Sequence, residues 1–255
     1  MKKIFFFLFA AVMTACFISC INEYEYTIET TYGPITYIGT KKPNETRAVG
    51  DIVFTDGSAT PYSATLTLTD DQKNAAVAVI YKVVGTDSYG VGLVHASDLA
   101  WCTETANGYA KIETIACTNT GTTFSGDTDG SNNFTQIGTA LGQNDDTGTA
   151  DKYPAFYFAK NYKDATGSHV SGTIYQNNWY LPSVSELYDV FSVKSSINPA
   201  ITLCGGNSLG DCSYWSSSQD NSSNNTAWTI QFQNGGINSS SKASTEKHTR
   251  CIHKF

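Results

Sequence analysis

The stretch YWSSSQDNSSNNTAWTIQFQNGG, residues 214–236, decides how the rest of the chain is read. From Ser216 to Thr226 it runs eleven residues without an apolar side chain. Such a run buries too little surface to order itself, which predicts a surface loop. It lies between Trp215 and Trp228, whose burial stabilises a fold by about 2–3 kcal/mol each. In Thr226 to Gln233 the period is two, which sets Trp228, Ile230 and Phe232 on one side and Thr229, Gln231 and Gln233 on the solvent side. Asn234-Gly235-Gly236 turns the chain, and Ile237 to Lys242 reads as a second polar loop. Two polar loops and a polar strand face then share one surface on an aromatic frame, an arrangement that suits binding. The competing reading is two loops that are merely solvated.

Outward from this stretch the signals are mixed. Strands are expected at Gly50–Phe54, Ala64–Leu68, Val77–Val84, Gly90–Val94, Tyr214–Trp215, Thr226–Phe232 and Thr249–Lys254. Thr69-Asp70-Asp71-Gln72 and Ser183-Val184-Ser185-Glu186 are capping boxes that open helices. Ser131 caps a helix with Phe134, Ile137, Gly138 and Leu141 on one face, and Pro154 suits the first turn of another. Asn198-Pro199 starts a last helix that Gly205 ends. Together these elements predict an α+β domain with a C-terminal antiparallel sheet.

Lys2 and Lys3 precede an apolar run, Ile4 to Met13, of signal-peptide length. Phe17-Ile18-Ser19-Cys20 reads as a relaxed lipobox, with Met13-Thr14-Ala15-Cys16 as the competing site. The expected organisation is a signal peptide over residues 1–20, a tether over 21–49 and a folded domain over 50–255. Lipidation at Cys20 would anchor the chain to a membrane, on the outer surface of the cell. Cys102, Cys117, Cys204, Cys212 and Cys251 then face an oxidising space, where disulfides are the default. Cys204 with Cys212 and Cys102 with Cys117 are the plausible pairs, and spacing does not decide between these and other pairings.

Charged residues make up only 15% of the chain and the net charge is −7. No basic field exists to attract a phosphate backbone, so nucleic acid is not an expected partner. His95, His169, His248 and His253 fall in no H-E-x-x-H motif, and no G-x-S-x-G elbow is present, so no enzyme and no cofactor is expected. Asp127-Thr128-Asp129-Gly130-Ser131-Asn132 resembles a hard-cation loop. Its glycine stands fourth rather than sixth, and the string reads as a turn, with no metal.

Trp179-Tyr180-Leu181-Pro182-Ser183 with Glu186-Leu187, Tyr214-Trp215-Ser216-Ser217, Ala227-Trp228, Phe232 with Asn234-Gly235, and Arg250-Cys251-Ile252 resemble the ordered motifs of the Lcl C-terminal/DUF1566 family. The likeness runs from about Gly50 to Phe255. It implies a C-type-lectin-like fold of the formylglycine-generating-enzyme (sulfatase-modifying factor) subtype. The wider chain, through Gly50 to Ser58, Leu93-Val94-His95 and Trp101-Cys102, resembles Treponema variable protein A-type lipoproteins. In that group a diversity-generating retroelement rewrites C-terminal codons. The resemblance implies a ligand-binding role for Asp220, Asn221, Ser222, Ser223, Asn224, Asn225, Asn238, Ser239 and Ser240, whose residue types match adenine-rich codons, and strand alternation adds Gln231 and Gln233. The ligand would be a protein or glycan on a host or microbial surface. A non-diversified structural or adhesive envelope lipoprotein is the alternative.

Overall fold

A computed structural model describes residues 35–140 and 150–255. The apolar N-terminal run, Cys16, Cys20 and Leu141 lie outside the described residues. No described helix is long and apolar enough to cross a membrane.

Residues 37–255 are built on two five-stranded sheets. The first has the order β10-β4-β3-β1-β2 and is antiparallel throughout: β1 (Asp51–Phe54), β2 (Ala59–Pro61), β3 (Ala76–Val84), β4 (Asp87–Ala96) and β10 (Thr249–Lys254). The second, β6-β5-β7-β8-β9, joins β5 (Ala116–Thr120), β6 (Thr123–Gly126), β7 (Ser213–Asp220), β8 (Thr226–Gln231) and β9 (Gly236–Ser241). Its β5–β7 pair is parallel and the others are antiparallel. Five short α-helices among the described residues complete a mixed α+β architecture: α1 (Asp70–Ala75), α2 (Asn133–Ala140), α3 (Pro154–Lys160), α4 (Val184–Ser192) and α5 (Lys194–Leu203).

Strand β3 of the first sheet and β7 of the second are covered on both faces. Strand β3 shows the sequence signature of this, six consecutive buried residues from Ala76 to Tyr81. Val79 and Tyr81 pack with α4 and α5 on one side, while Ala78 and Ile80 pack with Trp101, Phe156 and Trp215 on the other. Tyr214 and Trp215 divide in the same way between the two clusters.

Where structure depends on neighbours in sequence, it follows the expectation. Thr69 Oγ1 accepts from Gln72 N at 3.2 Å and Gln72 Oε1 from Thr69 N at 3.1 Å, closing the first capping box. Ser183 and Glu186 close the second. Pro154 stands in the first turn of α3, and Gly205, at φ +78°, ends α5.

Other expectations need correction. Residues 64–68 are not a strand; the partner of β1 is Ala59–Pro61, directly across the Asp56-Gly57-Ser58 turn. Helix α5 starts at Lys194 and carries Pro199 in its interior. Ser131 lies within a 3-10 turn, Gly130–Asn132, that leads into α2, and that turn is capped by Asp129, whose side chain accepts from Ser131 N at 2.9 Å. Strand β10 belongs to the first sheet rather than to a C-terminal one, because its hydrogen bonds run to β4. Contacts begin before Gly50: Gly39 N donates to Ser58 Oγ at 2.7 Å, and Lys41 bridges to Ala59.

The five described cysteines are free thiols. Cys102 is buried in one apolar cluster and Cys117 in the other, so that pair is separated by the packing itself. Cys204 is buried at the C-terminal end of α5 while Cys212 is half-exposed, and these two are not joined either.

Candidate functional site

The polar run divides in two. Its first half is not a loop: Ser216, Ser217, Ser218 and Gln219 are fully buried in β7, and Asp220 is 3% exposed. Buried hydroxyls need partners, and here each has one. Between Trp215 and Gln219 the strand leaves its register with β8. Ser217 N donates instead to Pro182 O at 2.7 Å, and Trp101 Nε1 donates to Ser216 O at 3.0 Å. Ser218 Oγ accepts from Val184 N at 2.9 Å and donates to Asp127 Oδ2 at 2.7 Å. Asn133 Nδ2 bridges Asp127 Oδ2 (2.6 Å) and Ser217 Oγ (2.8 Å). Burial pushes the Asp127 carboxyl up to about 6, against the pull of its bonds from Ser218 and Asn133. Glu186 completes the knot, accepting from Ser183 N (2.8 Å), Gly130 N (2.9 Å) and the Tyr180 hydroxyl (2.9 Å). The Leu-Pro-Ser and Trp-Ser-Ser strings are therefore two halves of one internal junction.

The second half, Asn221 to Asn225, is the exposed turn joining β7 to β8. It is gripped from beneath by its backbone. Gln219 Nε2 donates to Ser223 O (3.3 Å) and Asn224 O (3.2 Å). Lys242, fully buried, places Nζ 2.9 Å from Gln219 Oε1, 3.3 Å from Asn224 O, 2.7 Å from Gly108 O and 2.9 Å from Ala110 O. The same ammonium lies 4.7 Å from the Trp101 ring centre. No carboxylate pairs with it among the described residues, and burial pushes its pKa down to about 8. Asp220 supports the turn from the strand end. Its carboxylate accepts from Ser222 N (2.9 Å), Ser222 Oγ (2.8 Å) and Ser239 Oγ (2.5 Å). Burial raises the Asp220 pKa, and these bonds outweigh that and hold it below the usual carboxylate value.

The proposed contact residues thus fall into three sets. Asn221, Ser222, Asn224, Asn225, Gln233, Asn238 and Ser239 are exposed, and Ser223 and Ser240 are half-exposed. Asp220 is withdrawn from the display set, since its oxygens are spent inside the hairpin. Gln231 is half-buried and tied to the start of β7 and the chain just before it, accepting from the Ser213 hydroxyl and donating to Asp211 O at 2.7 Å. Thr229, expected in solvent, is 1% exposed, because its hydroxyl lies under β9 against Asn238 O (3.2 Å) and Ser240 Oγ (3.2 Å). Residues 237–241 are not a loop but the edge strand β9, paired with β8 from Thr226–Ser241 to Gln231–Gly236. That register brings Ser239–Ser241 beside the turn and leaves Gln231 and Gln233 at the far end of the hairpin, roughly 17 Å away at strand spacing.

Two neighbours were invisible in the sequence. Thr118 Oγ1 accepts from Asn221 Nδ2 at 3.2 Å, and the Tyr109 hydroxyl from Asn225 Nδ2 at 3.3 Å. Both come from segments more than 100 residues upstream, and nothing local marks them. Among the described residues no three His, Cys, Asp or Glu side chains stand together as a metal site.

In its fold the chain is similar to a fimbrial protein from Bacteroides ovatus, with a TM-score of 0.50 and 14% identity. The match covers 82% of this chain and 48% of that one, so this chain spans about half the length of its structural neighbour. None of the curated proteins matches it. The family model of the Lcl C-terminal domain matches residues 95–253, from the end of β4 through the junction, the turn and β10, and the chain belongs to the Lcl C-terminal domain family.

Proposed function

We propose that the protein is a non-enzymatic, surface-displayed lipoprotein that binds a protein or glycan partner through the Asn221–Asn225 turn and the adjoining edge strand β9. One observation carries this reading: the scaffold holds the turn by its carbonyl groups, through Gln219 and Lys242, and leaves the Asn224 side chain with no part in the grip. A turn gripped by its backbone tolerates exchange of its side chains, which is what a diversified binding surface requires. The lectin-like subtype and the retroelement origin of these codons belong to the same proposal, as does anchoring through Cys20. The likeness to a fimbrial protein supports a surface setting.

The test is substitution of Asn221, Asn224 and Asn238 by Tyr, singly and together, followed by capture on an array of host and microbial proteins and glycans. Unchanged melting with altered capture supports the proposal. Unchanged capture across the set, with folding intact, rejects it.

A further inference from the structure

Away from the turn, three adjoining cavities of about 460, 350 and 610 Å³ lie between the β3–β4 hairpin, α3 and the segment before Pro182. Ser131 and Tyr180 line all three, so they form one continuous groove. Trp179, Asn178 and Lys254 are each shared between two of the three.

The chemistry is graded along it. The cavity beside α3 is walled by Phe134, Phe156, Trp179 and Tyr180, with the amides of Asn177 and Asn178 between them. It contains two lysines, Lys160 and Lys163, and no carboxylate. Neither lysine makes an ion pair among the described residues; Lys160 Nζ only overlies the Phe134 ring at 5.2 Å. The cavity over β3 is different. There Tyr81, 2% exposed, forms part of the wall, and its buried hydroxyl has no hydrogen-bond partner among the described residues. Lys82 and Lys254 stand at this end, bound to Asp189 (2.6 Å) and Asp87 (2.7 Å). Asp129 and Glu186 also line this cavity and Asp87 lines the third, so the lysines here are balanced, and the unpaired positive charge of the groove is confined to Lys160 and Lys163 beside α3.

We propose that this groove is a second binding site, for an oligosaccharide that carries carboxylates, of the uronic acid class. Aromatic walls suit the C–H faces of sugar rings, and side-chain amides suit vicinal hydroxyls. The Tyr81 hydroxyl is a buried group still owed a partner, which a ring hydroxyl supplies. Lys160 and Lys163 supply the charge that a uronate needs in a cavity with no competing carboxylate. None of the groove residues belongs to the turn or to β9, so either site can fail alone.

The probe is hexagalacturonate, titrated calorimetrically into the full chain, with its methyl ester and hexaglutamate as comparisons. Saturable binding is expected, with the neutral ester at least tenfold weaker. Lys160→Gln with Lys163→Gln should weaken hexagalacturonate about tenfold or more, since charged hydrogen bonds are lost. Both side chains are at least partly exposed and outside any ion pair, so the variant should melt with the wild type. Tyr81→Phe should weaken binding several-fold, and Asn221→Tyr with Asn224→Tyr should leave it unchanged. Absence of hexagalacturonate binding, equal affinity for the ester, tighter binding of hexaglutamate, or indifference to the lysine substitutions overturns the proposal.

Discussion

Gln219 Oε1 accepts from Lys242 Nζ at 2.9 Å in the fully buried space under the β7–β8 turn, although each residue belongs to a run that reads as solvated loop. The pair shows how this fold uses polar side chains as interior struts. Gln219 spends its oxygen on Ile112 N (2.8 Å) and Lys242, and its amide on two turn carbonyls. Lys242 ties the same turn to Gly108 and Ala110.

The Lys242 pair makes stability depend on pH. The folded-state pKa, about 8, is depressed from the ordinary 10.5 by burial. The unfolded chain therefore binds the proton more tightly, and the associated stability is fully present above pH 10.5 and is lost as pH falls to about 8. The span corresponds to about 3 kcal/mol. Urea unfolding of wild type and Lys242→Met across this range should show the difference between them growing with pH. Parallel curves would refute the assignment. Amide exchange at residues 221–225 should also quicken in the variant, because four carbonyl and amide oxygens lose their donor.

The boundary between Asp220 and Asn221 is sharp enough to test by substitution. Ser218→Ala leaves Val184 N without its acceptor and removes one of the donors to Asp127, and should cost about 1–3 kcal/mol. Asp220→Asn should cost about 1–2 kcal/mol by weakening the bonds from Ser222 and Ser239. The native stability from this carboxylate, whose folded pKa is lowered, is present above pH 3.8 and lost as pH falls through the lower folded value. Asn224→Tyr, four residues on, should stay within about 0.5 kcal/mol of wild type. Thermal and urea melts of the three variants give the comparison.

These contrasts also explain what was legible in the sequence. Capping boxes at Thr69 and Ser183 were readable because donor and acceptor are three residues apart. The unbroken apolar run of β3 announced a strand covered on both faces. Ser216–Gln219 did not announce burial, since their partners Trp101, Asp127, Pro182 and Val184 are set by the tertiary fold. A polar run between two tryptophans signals a loop by composition, and the same run satisfied by distant backbone becomes a core strand. The turn itself was found because its half of the run stays at the surface, where the bonds to Thr118 and Tyr109 do not bury its side chains. Strand β10 went to the wrong sheet for the same reason: alternation identifies a strand and says nothing of its neighbour.

At the junction, Gly130 is required by space. A β-carbon there would stand 2.5 Å from Leu181 O and 2.5 Å from Ser183 N, both backbone atoms of the segment that receives β7. Ser183 N is itself held by Glu186, and Leu181 O is a backbone atom that cannot swing aside as a side chain would. Gly130→Ala should cost about 3 kcal/mol, well beyond the ordinary penalty for an exposed glycine, and should lower the melting temperature by several degrees. A melt superimposable on wild type would show that the junction is looser than its geometry.

The thiols provide an independent check on the interior. Burial pushes Cys102 and Cys204 up to about 12 and Cys117 up to about 11, so at neutral pH these groups are protonated as well as shielded. Cys251 is fully buried and its pKa is raised further by the same cause. Only Cys212 combines partial exposure with a free Sγ among the described cysteines. Since the thiolate is the reactive form, a chain with Ser at positions 16 and 20 should give one fast-reacting thiol with an aromatic disulfide reagent, and five after denaturation. Peptide mapping under non-reducing conditions should place the fast label on Cys212. Zero fast label with a Cys204–Cys212 peptide would mean that this loop is closed covalently. Two or more fast labels would mean that the apolar clusters open far more readily than their packing allows.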